Sequence, residues 1–341
     1  MQSRRARCAI SKAFILGTGS ATSVAAVQSD ALDRAHGFAP GHIARHSGVD
    51  RRGRAQGRSQ IDLAIEAGQA ALADAGLEAV ALDAILHCAA VPYQTLPATA
   101  PLVQGGLGLA GGQVAAFDIG ATCLGFLAGL QHAAAMVEAG RWTRILVVSA
   151  EAVGDFLDWR DPATAGLFGD GAGAAVVGTQ AGPKLGSLRV GRIALETHPS
   201  GYHAAEIRAG GTRLGQDATQ ADMQFTMDGR ALFALTRRHF GRFVGDMLAV
   251  DGLTLDALDV IVPHQASPSA LGLMAAALKV PKARLVDLSV NHGNLVAASL
   301  PVTLDHARRA GLIAPGARVL MLGTAAGVTF GAALLEAGPS D

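Results

Sequence analysis

One stretch of this chain occurs twice, and that repeat limits the possible folds more than any other feature. LDAILHCAAVP (82–92) aligns with LDVIVPHQASP (258–268), 176 residues further on. The agreement continues from CLGFLAGLQHAAAMVEAGRWTRILVVSA to NLVAASLPVTLDHARRAGLIAPGARVLMLGTA, and from FGDGAGAAVVG to AGVTFGAALLE. Within each copy, short β-rich runs alternate with Ala- and Leu-rich helical stretches. The runs are 14–17, 84–89, 145–150, 174–178, 260–264 and 319–323; the helical stretches are 61–75, 124–139, 230–250, 269–278 and 295–310. Continuous apolar strands between helices indicate an α/β fold with sheets covered on both faces. Two copies of one unit predict a pseudo-dimer within one chain, with halves at 1–180 and 181–341, packed through shared helices.

Composition supports this packing and excludes several functions. Half of the 341 residues are hydrophobic and only 16% are charged, which excludes a disordered chain. With 43 glycines and 4% aromatics, helices and strands can approach closely. The net charge is zero and there is no long basic run, so nucleic acid is not an expected partner. No apolar run reaches the ~20 residues of a membrane span. Three cysteines, Cys8, Cys88 and Cys123, do not form a disulfide framework and suggest a cytoplasmic setting. Arg4, Arg5 and Arg7 precede an apolar stretch as in a secretory leader, but Gly17–Ser20 break it, and AFILGTGS reads as a first strand running into a turn.

Three polar residues fall at strand ends or helix starts in apolar surroundings. Cys123 opens the helix at 124–139, where the positive end of the helix dipole favours the thiolate, a nucleophile suited to acyl transfer. His264 ends the strand VIVPH, and Asn294 opens the helix at 295–310. Taken alone, each has a plain reading: a small buried residue, a core histidine, a helix cap. Cys123 and Asn294 take roughly the same slot in the two copies, and Cys88 takes the slot of His264.

Together, DIGATCLGF (118–126), VPHQAS (262–267), NHGNLVAASLP (291–301) and FGDGAGAAVV (168–177) resemble the β-ketoacyl-acyl carrier protein synthase III group of the thiolase-fold superfamily. The resemblance runs from ILGTGS through HSGVDRR to GTAAGVTFGAALL, nearly the whole chain. It implies a thiolase-like fold of two pseudo-symmetric halves layered α-β-α-β-α. It also implies a 3-oxoacyl-ACP synthase III type of acyltransferase in fatty-acid or specialised polyketide-type biosynthesis. Cys123 takes an acyl group from an acyl-CoA or acyl-ACP. A malonyl thioester then loses carbon dioxide with help from His264 and Asn294, and its enolate attacks the acyl-enzyme. The N–H groups of Cys123 and Ala326 form the oxyanion hole. No metal or cofactor is implied, only CoA and acyl carrier protein thioesters. A homodimer is implied through an edge strand near 113–119 and a loop at 91–101, whose Leu96 lies at the partner's acyl pocket.

The alternatives on this scaffold are an acyltransferase that moves the Cys123 acyl group to an alcohol or amine, and a non-catalytic synthase subunit. Relatives that deprotonate a carbon need a second cysteine in the last Gly-rich loop, or a glutamate; GTAAG has no cysteine, and no acid lies between Asp83 and Asp118. Other positions depart from the family. The adenine-stacking Trp is His42, its Arg partner aligns with Pro162, and the basic carrier-docking residue aligns with Ser269. Ala325 and Ala326 replace glycines, which implies a reshaped loop if positive φ is needed there. His42 and His46 are four apart, a metal-pair spacing with no third ligand nearby. Arg51, Arg52, Arg54 and Arg58 read either as a solvated loop or as a contact for a phosphopantetheine donor or acidic carrier.

Overall fold

The computed structural model describes residues 11–21, 25–180 and 186–339. Cys8 and the arginines at 4–7 lie outside the described residues. Nine strands form the main sheet: β1 (Ala13–Ser20), β2 (Ala84–His87), β3 (Ala115–Asp118), β4 (Arg144–Glu151), β5 (Gly171–Thr179), β6 (Leu188–Thr197), β7 (Val260–Pro263), β8 (Arg318–Ala325) and β9 (Thr329–Ala337). Their order is β7-β8-β9-β6-β1-β5-β4-β2-β3. β1 and β6 join the two wings through only two residue pairs, Phe14 with Arg189 and Ile15 with Leu188.

The cores show the layers. The central core packs α2 (Gly125–Glu138) and α5 (Ser299–Arg309) between the inner faces of both wings, with Leu127, Leu130, Leu300 and Leu304 fully buried. On the outer face of the β4–β5 wing, α1 (Gln60–Ala75) buries Leu63, Ala67 and Ala71. On the far face of β7–β9, α3 (Gly229–Val250) buries Phe240, Phe243 and Val244 beside α4 (Pro268–Leu278). The result is the expected α-β-α-β-α order. Small residues permit the contacts: a Cβ on Gly129 of α2 would lie 2.5 Å from the Cys88 sulfur. Cys88 is thus a fully buried packing residue. Among the described residues, no helix is long and apolar enough to cross a membrane.

Most elements fall within a residue or two of the sequence reading. The main shift is in the second half, where a 3-10 turn at Val296–Ala298 delays the helix to Ser299, so Asn294 precedes the turn rather than opening the helix. The Gly-rich FGDGAGA enters β5, and its glycines allow close approach: a Cβ on Gly173 would meet Val302 N at 2.8 Å.

The arginine cluster fits neither reading. Arg52 is fully buried and donates to Ser29 Oγ at 2.8 Å, while Arg54 donates to Phe168 O and pairs with Asp170 at 3.6 Å. Arg58 pairs with Glu66. Only Arg51 is exposed, so the segment acts mainly as an internal brace.

Candidate active site

The two halves build the same turn. In the first, the chain leaves β3, reaches a 3-10 turn at Thr122–Leu124 and enters α2; in the second, Val296–Ala298 leads into α5. Thr122 and Val296, the first residues of these turns, have φ of 47° and 50°. Both are β-branched, so each holds a conformation costing about 1–3 kcal/mol. This register corrects the sequence alignment. The counterpart of Cys123 is Ala297, and Asn294 corresponds to Gly120.

Cys123, His264, Asn294 and Ala326 nevertheless line one cavity of about 370 Å³. Val91, Val153, Leu157, Phe168 and Val296 make its walls around the sulfur largely apolar. His264 follows β7, with its backbone N–H on Leu322 O at 2.8 Å. Gln265 secures the next turn: its Nε2 donates to Pro263 O and Val286 O, and its Oε1 accepts from Leu288 N. Gly323 lets β8 pass close by, since a Cβ there would lie 2.6 Å from His264 Cβ. The Asn294 Oδ1 accepts from Val296 N at 2.8 Å, while its Nδ2 has only a long contact with Ala266 O at 3.4 Å. The amide is therefore oriented mainly by its oxygen, and its nitrogen, with one long bond to Ala266 O, keeps a second N–H for the cavity.

Burial governs the charge states. It pushes the Cys123 thiol up to about 12, with the nearby Glu151 as second cause; the Ala326 and Cys123 N–H groups pull the other way and do not offset it. Burial thus opposes the helix-start dipole, which favours the thiolate. The same N–H groups are the pair expected at the oxyanion hole. Burial also lowers His264 to about 4, so its imidazole is neutral, and its Nδ1 is buried without a hydrogen-bond partner.

The sequence reading missed Glu151. It is fully buried, and burial raises its carboxyl to about 8. The search for an acid between Asp83 and Asp118 could not find it, because it lies outside that stretch, at the end of β4.

The other expected positions divide clearly. Ala325 and Ala326 avoid positive φ and only Gly327 adopts it (119°), so alanine carries no strain in this loop. Leu96 is 83% exposed and lies away from this chain's own cavity. β3 is an edge strand. The His42 and His46 rings lie 4.2 Å apart, and no group of three His, Cys, Asp or Glu suited to a metal occurs among the described residues. Next to them Trp159 stacks on His36 at 4.1 Å, an aromatic surface that the alignment of His42 did not anticipate.

Comparison with known proteins agrees with this arrangement. The family model for 3-oxoacyl-acyl-carrier-protein synthase III matches residues 117–196, and that for its C-terminal part matches residues 248–337. A β-ketoacyl-acyl-carrier-protein synthase III from Bordetella petrii is 40% identical over 332 residues, 96% of this chain and 98% of that protein. The crystal structure of 3-oxoacyl-(acyl carrier protein) synthase III from Pseudomonas aeruginosa PAO1 superposes with a TM-score of 0.85 at 32% identity, covering 96% of this chain and 99% of that one. A priming β-ketosynthase of a polyketide biosynthetic pathway gives 0.86 at 26% identity, covering 98% and 99%.

Proposed function

The chain belongs to the 3-oxoacyl-acyl-carrier-protein synthase III family of condensing enzymes, and on that premise we propose that Cys123, His264 and Asn294 carry out a decarboxylating Claisen condensation. Cys123 sulfur attacks the carbonyl of an acyl-CoA or acyl-ACP. The carbon–sulfur bond to the donor breaks, and the thiol proton leaves on the departing thiol. The oxyanion of this step faces the N–H groups of Cys123 and Ala326. A malonyl thioester, carried by acyl carrier protein or CoA, then loses carbon dioxide. The charge moves to its thioester oxygen, which accepts hydrogen bonds from neutral His264 and the Asn294 amide. The enolate carbon attacks the acyl-enzyme, a 3-oxoacyl thioester forms, and the departing Cys123 thiolate takes a proton from solvent to restore the resting thiol. No separate base is required, because decarboxylation itself supplies the carbanion.

The observation that carries this reading is the convergence of thiol, imidazole, amide and Ala326 on one apolar cavity from four separate segments. The remaining Asn294 N–H favours the condensing reading over transfer to an alcohol or amine, which has no enolate to stabilise. In this reading the enzyme works with thioester substrates and no metal or resident cofactor. It is cytoplasmic and acts as a homodimer joined at β3, with Leu96 reaching the partner's acyl pocket. The mirrored strand order supports halves at 1–180 and 181–341.

The decisive experiment is intact mass spectrometry of Cys123→Ser with an acyl thioester. The wild type gains one acyl group and the variant stays unmodified; a normal acyl adduct on the variant overturns the assignment.

A further inference from the structure

Glu151 is a buried carboxylate beside the nucleophile for which the proposed chemistry has no use. It ends β4 with no exposed surface and lies behind the wall of the cavity. Its Oε1 accepts from Ala90 N at 2.6 Å and Ala297 N at 3.3 Å, and its Oε2 accepts from Val91 N at 3.4 Å. Ala90 and Val91 belong to the cavity wall packed with Cys123. Ala297 is the counterpart of Cys123 in the second half and directly follows the strained Val296. Val296 N in turn bonds the Asn294 side-chain oxygen. One carboxylate thus ties the nucleophile's wall in the first half to the turn that orients Asn294 in the second. Gln60 secures the same wall from its other side, donating to Val91 O at 2.8 Å and Ala150 O at 2.7 Å.

A buried carboxylate is costly to keep unless its bonds hold something in place. We propose that Glu151 is a positioning residue for the condensation step: by gathering the N–H groups of Ala90, Val91 and Ala297, it fixes the Asn294 amide relative to Cys123. This rests on the roles proposed above for Cys123 and Asn294. Without the carboxylate, Ala297 N loses its acceptor and Val296 can relax to ordinary φ, which moves the acceptor end of Asn294. Misplacement on the scale of 1 Å is enough to cost roughly 100-fold in rate.

The charge has a second effect. The titratable groups acting with Glu151 are the Cys123 thiol and Asp170, the latter paired with Arg54. Above about pH 8, where the Glu151 carboxyl ionises, its negative charge discourages the Cys123 thiolate. Glu151→Gln keeps the oxygen that takes two of the three bonds and removes the charge, so it separates the two effects.

The test measures three quantities on the full chain: acyl-enzyme formation by intact mass, carbon dioxide release from a malonyl thioester, and alkylation of Cys123 by iodoacetamide from pH 6 to 9. Glu151→Ala should lower carbon dioxide release about 10- to 100-fold and acylation much less. Glu151→Gln should recover most of the release and alkylate faster than wild type above about pH 8, where the wild-type carboxyl is ionised. Equal loss of both steps in the alanine variant, or no recovery and no faster alkylation in the glutamine variant, overturns the proposal. Where the alanine variant fails to fold, Glu151→Asp, which keeps the charge and shortens the reach by one methylene, is read by the same criterion on release and acylation. Asn294→Ala is run in parallel: if it keeps full carbon dioxide release, the site assignment itself fails, whatever Glu151 does.

Discussion

Two substitutions at Asn294 separate its chemistry from its structural work. The side-chain oxygen accepts from Val296 N at 2.8 Å, and the nitrogen has only the 3.4 Å contact with Ala266 O. Asn294→Asp keeps an oxygen for Val296 and removes the donor facing the cavity. Asn294→Ala removes both. Losing one preorganised donor to a developing oxyanion costs about 2.7–4 kcal/mol, or roughly 100- to 1,000-fold in rate. Both variants should therefore lose carbon dioxide release by that factor, with the aspartate at the upper end because its charge opposes the enolate. Only the alanine should also lose stability, by about 1–3 kcal/mol, because Val296 N is left buried and unpaired next to a strained φ. The assay follows acyl-enzyme by intact mass, carbon dioxide release from a malonyl thioester with the acylated enzyme, and Tm. Acylation should stay within a few-fold of wild type in both variants. Unchanged carbon dioxide release in Asn294→Asp would refute the donor role. An equal fall in acylation would show that Asn294 supports the site as a whole rather than the enolate.

Other consequences concern His264, folding and the donor. Because burial lowers His264 to about 4, carbon dioxide release should be flat between about pH 5.5 and 7.5; an inflection near 6.5 would mean that the imidazole titrates as if exposed. The lowered value also bears on folding: the unfolded chain takes up a proton near 6.5 that the folded site refuses until about 4, so this histidine's contribution to stability is lost as pH falls through that window. Replacing it with glutamine should flatten the acid limb of Tm against pH, and an unchanged limb would contradict the burial argument. With His42, Pro162 and Ser269 at the altered donor positions, a donor panel should rank carrier-bound or unusual acyl groups above acetyl-CoA, and acetyl-CoA as the best donor would refute that reading.

The sequence exposed whatever rests on local pattern. Apolar runs such as VIVPH and VLMLG read directly as buried strands, and the repeat set the two halves. β6 was not recognised, because Arg189, Gly191 and Arg192 interrupt its apolar run while its pairing with β9 is long-range. The paired 3-10 turns were equally hidden. A left-handed φ at Thr122 or Val296 runs against the preference of β-branched residues and is imposed by tertiary contacts, so the alignment slipped and matched Cys123 with Asn294 instead of Ala297. Arg52 and Arg54 misled for a similar reason: arginine is seldom buried, and nothing local signals that these two turn inward. Glu151 stands just past the run read as a strand at 145–150, and nothing in its local sequence marks it. Its importance comes from Ala90, Val91 and Ala297, the last 146 residues away in sequence.

The apolar composition therefore bears on the reaction as well as the fold. Among the described residues lining the cavity there is no Lys or Arg, and the single charged side chain, Glu206, is engaged by His203 and Arg213. A malonyl carboxylate entering this space loses water without gaining a counter-charge. Loss of carbon dioxide removes that carboxylate and moves the charge to the thioester oxygen, where the imidazole and the Asn294 amide can donate. The same desolvation keeps the thiol protonated and the imidazole neutral at rest. A cavity that disfavours ions in the resting state, and supplies fixed dipoles only where charge develops, binds the transition state more strongly than the substrate. The high thiol value and the low imidazole value follow from one cause, and that cause favours decarboxylation over proton abstraction as the route to the carbanion.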